Sequence, residues 1–148
     1  MKAVILAAGY ATRLYPLTVD RPKALLDVGG RPMVEHLLQR LEGVAELDGI
    51  YLVTNSKFAD TFRDWATGWA GSEVWIVDDG TADEETKLGA IGDLELTIRE
   101  SAIDDDLIVL AGDNLFSESL APFGEFAAAK GAPVLGVYDV GDLEAIRR

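Results

Sequence analysis

MKAVILAAGYATRL, residues 1–14, is the stretch on which the fold turns. Its apolar run, KAVILAA (2–8), does not alternate with polar residues and ends in small side chains before Gly9. A run of that kind suits a strand covered on both faces in a parallel sheet. Four later runs share its character: GIYLVTN (49–55), SEVWIVD (72–78), DLIVLAG (106–112) and APVLGVYD (132–139).

Helical spacing fills the intervals. Met33, Val34, Leu37, Leu38 and Leu41 form one stripe behind Pro32, a residue suited to a first helical turn. Phe58, Phe62, Trp65 and Trp69 form a second, with Ser56 as the expected cap. Leu88, Ile91, Leu94 and Ile98 form a third. A fourth helix is expected from Ser117 to Lys130, stopped by Gly131. Strands alternating with helices at this spacing predict an α/β fold: a Rossmann-like three-layer αβα arrangement with a mostly parallel central sheet and right-handed crossovers. At 148 residues, one domain is expected. The long 13–30 interval reads as an ordered, functional loop, given its prolines and its buried-type residues.

Composition narrows the function classes. Acids outnumber bases 26 to 13 and the formal net charge is −13, so a duplex nucleic-acid surface is excluded. An anionic ligand must instead be held by a few placed cations and backbone N–H groups. With no cysteine and one histidine, the chain has no thiolate zinc site, disulfide or cysteine nucleophile. No apolar run reaches the roughly 18 residues of a membrane span, and the N-terminus lacks signal-peptide patterning. A cytoplasmic protein is the expectation.

In an open α/β sheet the ligand lies at the carboxyl ends of the strands, and the loop after KAVILAA is the first such end. Leu6, Ala7, Ala8, Gly9, Tyr10, Ala11 and Thr12 would bring backbone close to a phosphate chain, with Arg13 beside them. A dinucleotide fingerprint is excluded, because the second and third glycines of G-x-G-x-x-G are missing. The second strand also ends in Val53, Thr54 and Asn55, without a ribose-binding acid. The phosphate-loop pattern G-x-x-x-x-G-K-[ST] is absent too.

LAAGYATRLYPLTVDRPKALLDVGGRPM (6–33) resembles the signature of the sugar-1-phosphate nucleotidyltransferases. Those enzymes read L-A-[AG]-G-x-G-[ST]-R-L-x-P-L-T, then P-K-[AP]-L-[LM]-x-[VI]-x-[GDN]-[RK]-P-[ML]. Ala11 stands where the family usually has glycine. Downstream, LIVLAGDNLF (107–116) is similar to the family strand that ends in G-D-N/H. The resemblance implies a nucleoside triphosphate and a sugar-1-phosphate as partners, with Mg²⁺ required. It implies that Arg13 grips the triphosphate, as suits a rigid guanidinium fork, and stabilises the leaving pyrophosphate. It assigns Lys23 to the sugar phosphate or the α-phosphate, and Asp113 to the metal. The family's second metal aspartate has no match before Arg148, and the chain ends DLEAIRR after an apparent strand. A nucleotide-binding domain over 1–148, missing the C-terminal sugar-binding part, is therefore expected.

The third strand end, VDDGTADEETKLGAIGDL (77–94), departs from the family's Q-x-x-P-x-G-L-A-[QH]-A and leaves the base open. Gly89, with Asp79 or Thr81, is the candidate base contact. Glu84 and Glu85 read as helix-start acids in a solvated loop. His36, the Trp65–Trp69 stripe, the IDDDL turn (103–107) and Ser117 and Ser119 read as structural. Alternatives to sugar-1-phosphate transfer are a phosphocholine or other phosphoalcohol cytidylyltransferase, and a nucleotide-binding module without catalysis. Apolar edge surface on an unfinished sheet points to self-association.

Overall fold

The computed structural model describes residues 1–137 and 141. In chain order the elements are β1 (Lys2–Leu6), β2 (Asp27–Val28), β3 (Arg31–Pro32), α1 (Met33–Leu41), β4 (Gly49–Thr54), α2 (Ala59–Gly68), β5 (Val74–Asp78), α3 (Gly89–Glu100), β6 (Leu107–Ala111) and α4 (Ala121–Lys130). The four long strands form a parallel sheet in the order β5-β4-β1-β6, and β2 and β3 form a small antiparallel ribbon. The α/β class, the three layers and the parallel sheet are as the sequence predicts.

Burial explains why the first run does not alternate. β1 pairs with β4 on one side and β6 on the other, and Ala3, Val4 and Ile5 are wholly buried. Toward the sheet's edges the pattern loosens, with Val109 of β6 at 41% exposure and Trp75 of β5 at 40%. Ala3, Ile5, Ile50, Leu52, Ile108 and Leu110 meet Val34, Leu37, Leu38 and Leu41 of α1, together with Phe58 and Phe62, in one core. α3 packs against β1 and β4 on the opposite face. From β1 the chain steps outward to β4 and β5, then returns to β6 on the other side of β1. That reversal leaves a crevice between the carboxyl ends of β1 and β6, the place where open α/β sheets bind ligands.

Five local expectations are corrected. The strand expected at 132–139 is not formed over 133–137, where Leu135 and Val137 are each 84% exposed. Apolar character makes a strand only where another strand satisfies its backbone groups; Tyr138 and Asp139 lie outside the described residues. The stripe Leu88, Ile91, Leu94, Ile98 is not the buried face of α3: Ile91 is 81% exposed, while Asp93 and Thr97 turn inward. The inward face of α3 thus carries polar Asp93 and Thr97, near the buried Asp79, in place of its apolar stripe. Ser56 does not cap α2; its Oγ donates to Asp78 Oδ1 (2.7 Å), and Asn55 Oδ1 accepts from Phe58 N (3.2 Å) instead. Pro32 belongs to β3 and immediately precedes α1. α4 begins at Ala121, later than expected, and ends as expected on Gly131 in the left-handed region at φ 57°.

The 13–30 interval is ordered. It holds two 3₁₀ turns, Thr12–Leu14 and Lys23–Leu25, followed by the β2–β3 ribbon. His36 Nε2 donates to Val28 O (2.7 Å), which ties α1 to that ribbon. Trp65 Nε1 donates to Glu35 Oε1 (2.9 Å) and its ring stacks on Trp69, both structural tasks.

Candidate active site

The site begins where β1 leaves the sheet. Gly112 N donates to Leu6 O (2.8 Å) and Ala7 N to Val53 O (2.9 Å), so the strand's last turn outward is held from both sides. Asn55, wholly buried, donates through Nδ2 to Ala8 O (2.8 Å). One side chain thus fastens the loop after β1 to the start of α2. Ala11 then adopts the left-handed region at φ 49°, ψ 39°. The buried Thr18 hydroxyl donates to Ala11 O (2.8 Å), and Leu14 N donates to the same oxygen (2.9 Å). That bend places Arg13 in the 3₁₀ turn at the mouth of a cavity of about 470 Å³. The size falls within the roughly 300–1,000 Å³ of small-ligand sites.

Lys23 reaches the same cavity from the second 3₁₀ turn. Its backbone is anchored because the next two residues, Ala24 and Leu25, are buried in the core. Its Nζ lies 2.8 Å from Asp113 Oδ2, just past β6. Asp113 follows Gly112, where a Cβ would meet Leu6 O at 3.1 Å and Ala7 Cβ at 3.2 Å. Glycine there lets the β6 end lie close against the β1 end, and this closeness brings Asp113 to Lys23.

Leu6, Ala7, Gly9, Tyr10, Ala11, Thr12, Arg13, Lys23 and Asp113 all line the cavity. Ala8 sits behind the wall, 7% exposed. Asp79, Thr81 and Gly89 do not line it. Asp79 and Thr81 are buried behind Tyr10, whose hydroxyl lies 3.4 Å from Thr81 Oγ1. Thr81 donates to Asp79 Oδ1 through both its N and its Oγ1 (2.7 Å each). Burial, first of all, pushes the Tyr10 phenol up. Beyond Asp79 lies Asp93, whose carboxyl is pushed up to about 6 by burial first, then by the charge of Asp79 and a hydrogen bond to it. Two carboxyl groups bond to each other only when one keeps its proton, and neither Asp79 Oδ2 nor Asp93 Oδ1 finds a partner in any other group.

Two charged residues of the cavity escaped the sequence reading, along with Leu14, Ala24 and Gly112 of its wall. Glu84 and Lys87 line the wall and form an ion pair with each other. The glutamates are not helix-start acids, because α3 begins only at Gly89 and its first turn holds none. Their signal in the sequence was weak, a lone lysine in an acidic loop. Three cations and two acids therefore face this cavity, in a chain of net charge −13. Among the described residues no group of three or more acids or histidines could enclose a metal, and Asp113 is the carboxylate paired with Lys23.

A parallel sheet with a small-residue loop and cations at its switch point makes this an α/β domain with its ligand cavity at the carboxyl ends of the strands. The model of the nucleotidyl transferase family matches residues 2–145, and the chain belongs to that family. The chain is 30% identical over 132 residues to the bifunctional protein GlmU of Methanocaldococcus jannaschii, covering 87% of this chain and 29% of that protein. It is 30% identical over 120 residues to the UTP–glucose-1-phosphate uridylyltransferase AglF of Haloferax volcanii, covering 81% and 46%. A solved UDP-glucose pyrophosphorylase from Acinetobacter baumanii shares the fold, with a TM-score of 0.68 at 21% identity over 88% of this chain and 53% of that one. The chain thus spans under half the length of these two curated relatives. Among the described residues no helix is long and apolar enough to cross a membrane.

Proposed function

We propose that this chain is the nucleotide-binding part of an enzyme that transfers a nucleotidyl group from a nucleoside triphosphate to a sugar-1-phosphate. The carrying observation is the meeting of Arg13 and Lys23 with Asp113, which lies 90 residues beyond Lys23, in one cavity at the carboxyl ends of β1 and β6. In this reading an oxygen of the sugar phosphate attacks the α-phosphorus. The bond from the α-phosphorus to the bridging oxygen breaks, and pyrophosphate leaves. The chemistry asks for positioning and charge neutralisation more than for covalent help.

Each residue has a physical task. The loop from Ala7 to Thr12 approaches the triphosphate with little side chain in the way. Among the described residues Arg13 has no ion-pair or hydrogen-bond partner, so its guanidinium is available to two phosphate oxygens at once. Lys23 lowers the repulsion between the two anions that must meet. Asp113 would hold Mg²⁺, which takes one or two carboxylates and completes its shell with phosphates and water. The donor set fits that ion, being one hard, half-exposed carboxylate facing the cavity. Bound there, the ion would neutralise phosphate charge. We place the reaction in the cytoplasm and include self-association through the exposed apolar surface of α3 and β6 in this reading.

The test is pyrophosphate release across a panel of five triphosphates crossed with sugar-1-phosphates, phosphocholine and inositol phosphate, with Mg²⁺. Turnover with a sugar-1-phosphate supports the reading. Turnover with CTP and a phosphoalcohol alone replaces it by a cytidylyltransferase. Triphosphate binding with no release by the full-length protein replaces it by a non-catalytic module.

A further inference from the structure

Lys23 is partly neutralised by Asp113, which leaves Arg13 as the one cavity cation without a partner among the described residues. A triphosphate brings up to about four negative charges into an acidic chain, and placed cations must meet them. The third cation on the cavity wall is Lys87.

The loop that carries Lys87 is built to present it. Its root is fixed: Thr81 is buried beside Tyr10, and Asp78 Oδ1 accepts from Gly80 N (2.9 Å). Its tip is wound by Asp83, whose Oδ1 accepts from Glu85 N (3.1 Å), Thr86 N (2.9 Å) and Thr86 Oγ1 (2.8 Å). That turn sets Glu84 and Lys87 side by side facing the cavity, each about half exposed. An exposed pair of this kind contributes little to stability. A phosphate carries more charge than a carboxylate and binds an ammonium group at least as well.

We propose that Lys87 is a third phosphate-binding cation of this site, and that Glu84 holds it as a stand-in anion until the triphosphate displaces the carboxylate. The proposal rests on the nucleotidyl-transfer reading above. It gives opposite signs for the two partners, whereas a pair that only braces the loop gives the same sign for both.

The experiment is calorimetric titration of the purified protein with nucleoside triphosphates and with inorganic tripolyphosphate, which has no base. Lys87→Met is expected to weaken binding of both roughly tenfold or more, the usual effect of losing a charged hydrogen bond. Its plot of log affinity against log salt becomes shallower than that of the unaltered protein. Glu84→Gln is expected to tighten both several-fold. Binding unchanged in Lys87→Met, or weakened equally by both substitutions, overturns the proposal. Weakened nucleotide binding with unaltered tripolyphosphate binding also overturns it, and assigns Lys87 to the base. If the unaltered protein binds no triphosphate at all, the underlying nucleotidyl-transfer reading fails, and this inference with it.

Discussion

Lys23 Nζ and Asp113 Oδ2 lie 2.8 Å apart although ninety residues separate them in the chain. The pair joins the two loops that flank the crevice between β1 and β6. With 35% and 45% of their side chains exposed, the two charges contribute little to folding. Their value is to place a cation and a hard oxygen donor at one point.

Lys23→Ala and Arg13→Ala are therefore expected to lower turnover on the order of 10²-fold or more, read by pyrophosphate release. Thermal unfolding should barely move, because Lys23 is held by an exposed ion pair that contributes about 0–1 kcal/mol and Arg13 by none among the described residues. Turnover equal to that of the unaltered protein in either variant rules out the assigned roles. Asp113→Asn should raise the Mg²⁺ concentration needed for half-maximal rate, since the site then loses a charged ligand.

Ala11 holds a left-handed conformation at φ 49°. An alanine there carries roughly 1–2 kcal/mol of steric cost that glycine avoids, offset in part by the entropy glycine loses on folding. Ala11→Gly should stabilise the protein by roughly 0.5–1 kcal/mol in urea unfolding. A β-branched residue there, Ala11→Val, should destabilise it. The same geometry accounts for the glycine that the family pattern carries at this position.

The carboxyl of Asp93, pushed up to about 6, gives a pH dependence with a definite sign. Its proton is held more tightly in the folded than in the unfolded chain, where the ordinary value is 3.8. Stability therefore falls as pH rises from about 4 to about 6, and the contribution is lost above that range. Asp93→Asn keeps a hydrogen-bond donor for Asp79 and removes the charge. It should stabilise the fold above pH 6, on the order of 1 kcal/mol, and flatten the profile between pH 4 and 6. Denaturation midpoints measured from pH 4 to 8 test this, and an unchanged slope would count against the shared proton.

Asn55 is expected to matter out of proportion to its size. Substitution by leucine strands two backbone groups, Ala8 O and Phe58 N, in a buried setting. An unsatisfied buried group costs roughly 1–3 kcal/mol, so Asn55→Leu should lose several kcal/mol and raise KM for the triphosphate as the loop loosens. Urea unfolding and steady-state kinetics on one preparation check both effects.

Strand and helix positions were largely legible in the sequence, since apolar runs without alternation arise wherever a strand is covered on both faces. β1, β4, β5 and β6 fall inside four of the five runs. The run at 132–139 shows the limit, because pairing is a property of the neighbour and not of the segment. The α3 stripe shows another, because a period of 3.6 locates a helix without fixing which side faces the sheet. At the site, Arg13, Lys23 and Asp113 were legible through the resemblance of their surroundings to the family signature. Glu84 and Lys87 were not, because their loop carries no pattern and only its Asp83 turn aims them at the cavity.

By itself, then, the sequence determined the α/β class, the order of elements, and the small-residue loop with its two cations, all consequences of local chemistry and periodic burial. Only the tertiary structure decided that β6 lies beside β1, that Lys23 meets Asp113, and that a third cation joins them. Those are distances between residues far apart in the chain, set by which strands pair and how closely Gly112 lets them approach.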